Sequence, residues 1–225
     1  AEIIPLGCSP NGRNINLRCG STSPELIQAT VSGVHADVGI ALDGDGDRLV
    51  MVDHLGRIAD GDQLLYVIAS DRKRAGTLQG PVVGTVMSNL GLEQKLQAEG
   101  VEFLRAKVGD RYVLAMLKEH GGVLGGETSG HLLCLDRTTT GDGLVSALEV
   151  LAVMKRTGRP LAELVAGMPK FPQVMINVRV RERIDPSQSQ VIQDAVRRVE
   201  KVLGSTGRVV QRASGTEPVI RVMIE

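Results

Sequence analysis

Apolar positions along the chain change their spacing several times, and each change marks an element. Val38-Gly39-Ile40-Ala41-Leu42 is an unbroken apolar run, too short for a helix and suited to a buried strand. Leu49-Val50-Met51-Val52 repeats the pattern after a polar loop and should pair beside it. Asp60 stands where an N-cap belongs, ahead of Leu64, Leu65 and Ile68 on one helical face. Pro81-Val82-Val83-Gly84-Thr85-Val86-Met87 reads as the next strand. Asn89 then caps a helix through Leu92 and Leu96 that stops at Gly100, and Val101-Glu102-Phe103-Leu104 is a strand again. A helix from Tyr112 to Glu119 ends at Gly121-Gly122. A longer one carries Leu144, Leu148, Leu151 and Met154 and ends near Gly158-Arg159-Pro160. This alternation predicts an α/β fold of mixed, largely parallel sheets covered by helices.

After Pro169 and Pro172 the rhythm changes. Gln173 to Arg181 alternates apolar and polar residues, as a half-exposed strand does. Pro186 opens a helix with Ile192, Ala195, Val196, Val199 and Leu203 on one face, and strands follow near 207–212 and 218–224. That β-α-β-β order predicts a smaller α+β domain. Boundaries near 57 and 170 divide the chain into residues 1–57, 58–169 and 170–225. The chain starts without Met in a strand-like run, residues 2–6, and closes in another, residues 219–224, which reads as a piece of a longer protein.

Composition narrows the function classes. Hydrophobic residues make up 42% of the chain, enough for buried cores, and 26 basic residues balance 26 acidic ones. A nucleic-acid binder shows a basic excess or stripe and, for single strands, aromatic platforms. Here there is neither, with no Trp, two Tyr and two Phe. No apolar run approaches the length that spans a bilayer. Cys8, Cys19 and Cys134 are odd in number and share no metal-type spacing, which fits reduced thiols in a cytoplasm that serve as small apolar fillers.

The strongest chemical signal is Asp43-Gly44-Asp45-Gly46-Asp47-Arg48. Three carboxylates at alternate positions can converge on one point, and the glycines between them let the backbone turn. Converging anions repel unless a cation neutralises them, and oxygen-only ligation suits a hard ion such as Mg²⁺. The loop also follows an apolar strand, at the end where α/β proteins place ligands. A calcium EF-hand is excluded, because Arg48 replaces its glycine, His54 replaces its bidentate Glu, and the flanks are strands. A dehalogenase-type phosphatase motif fits Asp43, Asp45 and Gly46 but not Asp47, and a solvated acidic turn is the remaining reading.

Two further loops carry polar groups. In Gly125-Gly126-Glu127-Thr128-Ser129-Gly130-His131, between two short strands, Glu127 and Ser129 can face the same way toward neighbouring hydroxyls; a tight polar turn explains the segment equally well. His131 alone reads as a structural histidine. In Arg212-Ala213-Ser214-Gly215-Thr216-Glu217-Pro218 with Arg221, two cations, two hydroxyls and backbone N–H groups around a glycine make a phosphate cradle, or else a turn with arginines on an exposed edge. It offers no evident acid, base or nucleophile.

In this order and separation the three motifs resemble those of the α-D-phosphohexomutase superfamily, across the whole chain. Residues 43–48 resemble its metal loop, 126–131 its sugar-recognition loop and 212–221 its phosphate-binding loop. On that resemblance residues 1–57 end the second of four domains, 58–169 form the third, and 170–225 form most of the fourth. Further stretches are similar to the branch that acts on glucosamine phosphates. These are Gly7-Cys8-Ser9-Pro10-Asn11-Gly12 with Asn14-Ile15-Asn16, Ala106-Lys107-Val108-Gly109-Asp110-Arg111-Tyr112, Asp136-Arg137-Thr138-Thr139-Thr140-Gly141-Asp142-Gly143, and Ser214-Gly215-Thr216-Glu217-Pro218 with Ile220-Arg221-Val222-Met223. Thr128 departs from the Asn frequent in bacterial members of that branch.

The resemblance implies interconversion of glucosamine 6-phosphate and glucosamine 1-phosphate through a phosphoserine and a bisphosphate intermediate, on the route to UDP-N-acetylglucosamine and peptidoglycan precursors. It implies one Mg²⁺ per site on Asp43, Asp45, Asp47 and the phosphoserine, with glucosamine or glucose 1,6-bisphosphate as activator. Arg48 would help bind the transferring phosphoryl group, and Glu127 and Ser129 would hold sugar hydroxyls in either orientation. Arg212, Ser214, Gly215, Thr216 and Arg221 would clamp the phosphate that is not reacting. His131 and Lys107 are candidates for proton transfer or phosphate contact. The family's serine lies in a Thr-Ala-Ser-His-Asn-Pro-like motif, and no Ser in this chain is followed by His-Asn. The expectation is an enzyme in the full protein and no turnover by these residues alone. The alternatives are a mannose- or glucose-phosphate mutase of the same superfamily, or a fragment that binds a sugar phosphate without chemistry.

Overall fold

The six residues between the first two strands are too few for a parallel crossover, which needs a dozen or more. In the computed structural model, which describes residues 1–182, 184–213 and 218–225, strands β1 (Val38–Leu42) and β2 (Leu49–Asp53) therefore pair antiparallel, with Leu42 opposite Leu49. β3 (Ile58–Ala59) adds to the other edge of β2, again antiparallel. Helix α1 (Glu25–Val34) packs on β1 and β2. It is an element the apolar spacing does not announce, because only Val31 on it is buried.

Helix α2 (Gly61–Arg74) starts on a capping box, in which the Asp60 carboxylate accepts from the Gln63 N–H and the Gln63 side chain accepts from the Asp60 N–H. Its Leu64, Leu65 and Ile68 are buried, as their spacing predicts. The second sheet runs in the order β5-β4-β6-β7, from β4 (Val82–Thr85), β5 (Phe103–Ala106), β6 (Leu124–Gly126) and β7 (Leu132–Cys134). β4 pairs parallel with β5 and β6, and β6 pairs antiparallel with β7. Helices α3 (Leu90–Ala98) and α4 (Asp110–His120) supply the crossovers that parallel pairing needs. Among the described residues parallel pairing is thus confined to three strands, fewer than the strand–helix alternation predicts. Helix α5 (Gly143–Thr157), closed by left-handed Gly158, and helix α6 (Leu161–Val165) complete this part.

Leu49 and Met51 of β2, the α2 leucines, Leu92, Leu96, Leu124, Leu132, Ala147 and Val150 share one core. Cys134 belongs to it, and burial pushes its thiol up to about 11, the behaviour of an inert filler. Residues 2–6 are irregular, not a strand, and all but half-buried Leu6 are exposed. Pro5 lacks a ladder N–H, and among the described residues none pairs with this run.

The chain divides into two compact units, residues 1–88 with 92–169, and residues 89–91 with 170–225. In the second, β8 (Val174–Arg179), β9 (Val209–Ala213) and β10 (Val219–Ile224) form an antiparallel sheet in the order β8-β10-β9. A 3₁₀ turn (Pro186–Gln188) leads into helix α7 (Gln190–Leu203), so the order β-α-β-β is as the pattern predicts. Ile192, Ala195, Val196 and Leu203 are half-buried on α7, while Val199 is exposed. α7 lies against β9, whereas β8 is an edge strand exposed along its whole length, more open than its alternation suggests. Among the described residues no helix is long and apolar enough to cross a membrane.

Candidate functional site

The acidic loop is closed on itself before any ligand enters. The Arg48 N–H donates to Asp43 Oδ1 at 3.1 Å, the Gly46 N–H donates to the Asp43 carbonyl at 3.3 Å, and Gly46 takes φ +76° to make the turn. Ligand oxygens of Asp43, Asp45 and Asp47 then lie within 4.8 Å of one another. The loop is tethered from below by the start of α5, where the Gly143 N–H donates to the Gly46 carbonyl at 2.8 Å. A Cβ on Gly143 would come within 2.9 Å of the Gly46 and Arg48 carbonyls, so glycine is required there. Next to it Asp142 caps α5 by accepting from the Val145 N–H.

Crowding sets Asp43 and Asp47 apart electrostatically. Burial raises the pKa of Asp47; His131 opposes this, but the charges of Asp43 and Asp45 reinforce it. Burial also acts upward on Asp43, yet the Arg48 N–H, the neighbouring Asp47 and the Arg48 guanidinium outweigh it and hold this carboxyl below the usual range. Oxygen donors alone, at mutual reach and repelling one another, fit a hard divalent cation such as Mg²⁺.

The second loop is the turn between β6 and β7. The Glu127 N–H donates to the His131 carbonyl and the Gly130 N–H to the Glu127 carbonyl, both at 2.9 Å. Neighbouring elements then fix it residue by residue. Gly61, at the head of α2, donates to the Thr128 carbonyl at 3.1 Å, and the Thr128 hydroxyl donates to Asp62 Oδ2 at 2.8 Å. Glu127 Oε1 accepts the Gly109 N–H at 2.9 Å, so the turn that carries Lys107 also orients Glu127. Ser129 is exposed, and so is Lys107, whose Nζ lies 5.9 Å from the Tyr112 ring centroid.

The fold brings these two loops together. Arg48 and His131 form an antiparallel bridge, the Leu49 N–H donates to the Gly130 carbonyl at 3.0 Å, and His131 Nδ1 lies 3.0 Å from Asp47 Oδ2. Asp43, Asp45, Asp47, Arg48, Glu127, Ser129, His131 and Lys107 thus all belong to the first unit, with direct hydrogen bonding between metal-loop and sugar-loop candidates. Sequence reasoning misses Gly141 and Gly143 as parts of this site; its only signal for them is the likeness of the stretch from Asp136 to Gly143.

In the second unit Arg212 and Arg221 are direct partners across β9 and β10. Ser214, Gly215 and Thr216 lie outside the described residues. Asn177, Arg179, Val180, Pro218, Val219 and Arg221 line a cleft of about 370 Å³. Of the described residues expected to hold a phosphate, Arg221 lines this cleft and Arg212 does not; the register places Asn177 opposite Arg221.

Two family descriptions match the chain. Phosphoglucomutase/phosphomannomutase, alpha/beta/alpha domain III, covers residues 60–171, and phosphoglucomutase/phosphomannomutase, C-terminal domain, covers residues 175–225. Among curated relatives, the phosphoglucosamine mutase of Alkalilimnicola ehrlichii is 59% identical and that of Methylococcus capsulatus 57% identical, each over all 225 residues. The chain spans about half the length of these relatives (50% of each). The structure of Aspergillus fumigatus N-acetylphosphoglucosamine mutase in complex with GlcNAc-6P and magnesium is similar with a TM-score of 0.74, over 93% of this chain and 53% of that one, at 20% identity. At that identity the likeness speaks for the fold.

Proposed function

The chain belongs to the phosphoglucomutase/phosphomannomutase family, and from that premise we propose that the whole protein interconverts glucosamine 6-phosphate and glucosamine 1-phosphate. The observation that carries this reading is the 57–59% identity, over the entire chain, to phosphoglucosamine mutases. On this reading its product feeds the route to UDP-N-acetylglucosamine and peptidoglycan precursors in the cytoplasm. Domain boundaries near 57 and 170 would separate the end of the second family domain, the third, and most of the fourth.

The convergent acids support a single Mg²⁺ on Asp43, Asp45 and Asp47, and magnesium is present in the Aspergillus fumigatus relative. When bound, the ion supplies charge neutralisation to the phosphoryl oxygens in transfer. The remaining roles fall to side chains and backbone. Arg48, half exposed at the end of the loop, binds the transferring phosphoryl group. Glu127, held in orientation by the Gly109 N–H, and exposed Ser129 take sugar hydroxyls. Lys107 reaches a phosphate from the same turn. Arg212 and Arg221, with Ser214, Gly215 and Thr216, hold the phosphate that does not react. The phosphoryl carrier is a serine outside these 225 residues, and a glucosamine or glucose 1,6-bisphosphate primes it.

The full-length protein, assayed with glucosamine 6-phosphate, glucose 6-phosphate and mannose 6-phosphate, should show its highest kcat/KM on the first. Preference for either neutral sugar overturns the substrate assignment and leaves the family intact. Arg212→Ala and Arg221→Ala should each raise KM by about 10- to 150-fold, the loss of one charge-assisted hydrogen bond. An unchanged KM in both removes the phosphate loop from the site.

A further inference from the structure

His131 is placed as no proton shuttle would be. Its side chain is 7% exposed, and its two ring nitrogens face different surroundings. Nδ1 lies 3.0 Å from Asp47 Oδ2, while buried Nε2 has no hydrogen-bond partner among the described residues. Nε2 is turned toward Gly141, where an added Cβ would collide with it. An ionised carboxylate only accepts, so in the neutral ring the proton belongs on Nδ1 and Nε2 is left without one. The backbone of His131 is held as well, by its bridge to Arg48 and by the Glu127 N–H on its carbonyl. The ring is thereby held on three sides.

The metal-loop acids are held by different parts of the fold. Asp43 is held from within the loop, by the N–H and guanidinium of Arg48. Asp47 is held from outside it, by a residue of the sugar loop 84 positions further along the chain.

Resting on the metal-loop reading given above, we propose that His131 is a positioning residue: its Nδ1–H fixes one oxygen of Asp47, directs the other toward the cation, and makes the metal loop and the sugar loop one hydrogen-bonded body. A carboxylate oriented in advance loses less rotamer freedom when the cation arrives. The same link makes cation affinity sensitive to any movement of residues 127–131 when sugar enters. Gly141 serves this arrangement by leaving room for the ring.

Isosteres test it. The Asn amide N–H can stand where Nδ1–H stands, whereas Gln places its amide where Nε2 lies, against Gly141. Mn²⁺ uptake by the 225-residue chain, read by electron paramagnetic resonance, should weaken about 10- to 100-fold in His131→Ala. It should recover largely in His131→Asn and not in His131→Gln. Circular dichroism confirms that each variant is folded. Independently of metal, long-range ¹H–¹⁵N spectra of the unmutated chain should show His131 protonated at Nδ1 and bare at Nε2, with that preference lost in Asp47→Ala. Mn²⁺ affinity unchanged in folded His131→Ala, Gln rescuing as well as Asn, or a ring protonated at Nε2 overturns the inference alone. A wild-type chain that takes up no Mn²⁺ overturns the metal-loop reading, and the inference with it.

Discussion

Arg72 is the buried charge on which the first unit most depends. Its side chain is 7% exposed, and its guanidinium reaches Asp136 at 2.9 Å and Glu149 at 3.0 Å. Burial alone would lower its pKa; the hydrogen bonds it donates to Glu149 and Asp136 outweigh that and raise it. Removing the cation takes a buried partner from two carboxylates, Asp136 and Glu149, and leaves them to Arg137. Arg72→Ala should therefore lower the unfolding free energy by about 3 kcal/mol, read as a shift in the urea midpoint. A midpoint within error of wild type would show the acids finding water instead. Asp47 gives a second residue-scale expectation, with a sign that depends on the cation. Its folded pKa is raised, chiefly by burial, so without metal its contribution to stability is present in acid and is lost as pH rises through the folded value. With metal the order reverses, since cation and proton compete for the same oxygens. Mn²⁺ affinity measured by calorimetry should fall as pH is lowered, and the fall should begin above the range of an ordinary aspartate, about 3.9. Affinity flat through that range would place Asp47 outside the ligand set.

At the scale of elements, legibility followed the range over which each determinant acts. Helix α2 could be read from Asp60, and α5 from Gly158, because caps and left-handed stops act within a few residues of the helix end. The pairing of β1 with β2 was legible because their loop is short. Strand direction in the second sheet was not, since a period of two is common to parallel and antiparallel strands and only the connections decide. Helix α1 hid behind a thin apolar face, and residues 2–6 are apolar without a partner among the described residues. The metal loop could be read because its three acids fall in one six-residue segment; the contacts of His131 with Asp47 and of Gly143 with Gly46 could not, because folding alone makes them neighbours. Gly61 is a similar case and is testable. It heads α2 directly beneath the second loop, and a Cβ there would collide with the Glu127 carbonyl. Gly61→Ala should cost about 1–3 kcal/mol by overpacking, and in the full-length protein it should raise KM for glucosamine 6-phosphate by displacing Glu127. Gly33→Ala in α1, where a Cβ meets nothing within 4 Å, should leave KM unchanged. Equal KM in the two variants would separate the seat of the loop from sugar binding.

At the scale of the whole molecule, the open matter is where a phosphoryl group rests between half-reactions. A route that returns a phosphoryl group to the other end of the same sugar needs a covalent carrier on the enzyme. Asp43, Asp45 and Asp47 are the candidates within reach of one another, and a dehalogenase-type reading would make Asp43 the carrier. The geometry argues against that use. One Asp43 oxygen accepts the Arg48 N–H and the other faces the Arg48 guanidinium, so attack on phosphorus would require the carboxylate to leave both. Its lowered pKa points the same way, since a carboxylate stabilised by donors is a weaker nucleophile. Ser129, exposed in the turn that partners the metal loop, is followed by Gly130-His131 and not by His-Asn. We therefore expect the 225-residue chain, incubated with Mg²⁺ and glucosamine 1,6-bisphosphate, to keep its unphosphorylated mass and to isomerise no glucosamine 6-phosphate, while the full-length protein gains a phosphoryl group and isomerises the substrate. Intact-mass spectrometry and a coupled isomerisation assay, run side by side, read the two outcomes. A phosphoaspartate mapped to position 43, or turnover by the 225-residue chain, would move the carrier into the acidic loop and overturn its assignment to a serine elsewhere.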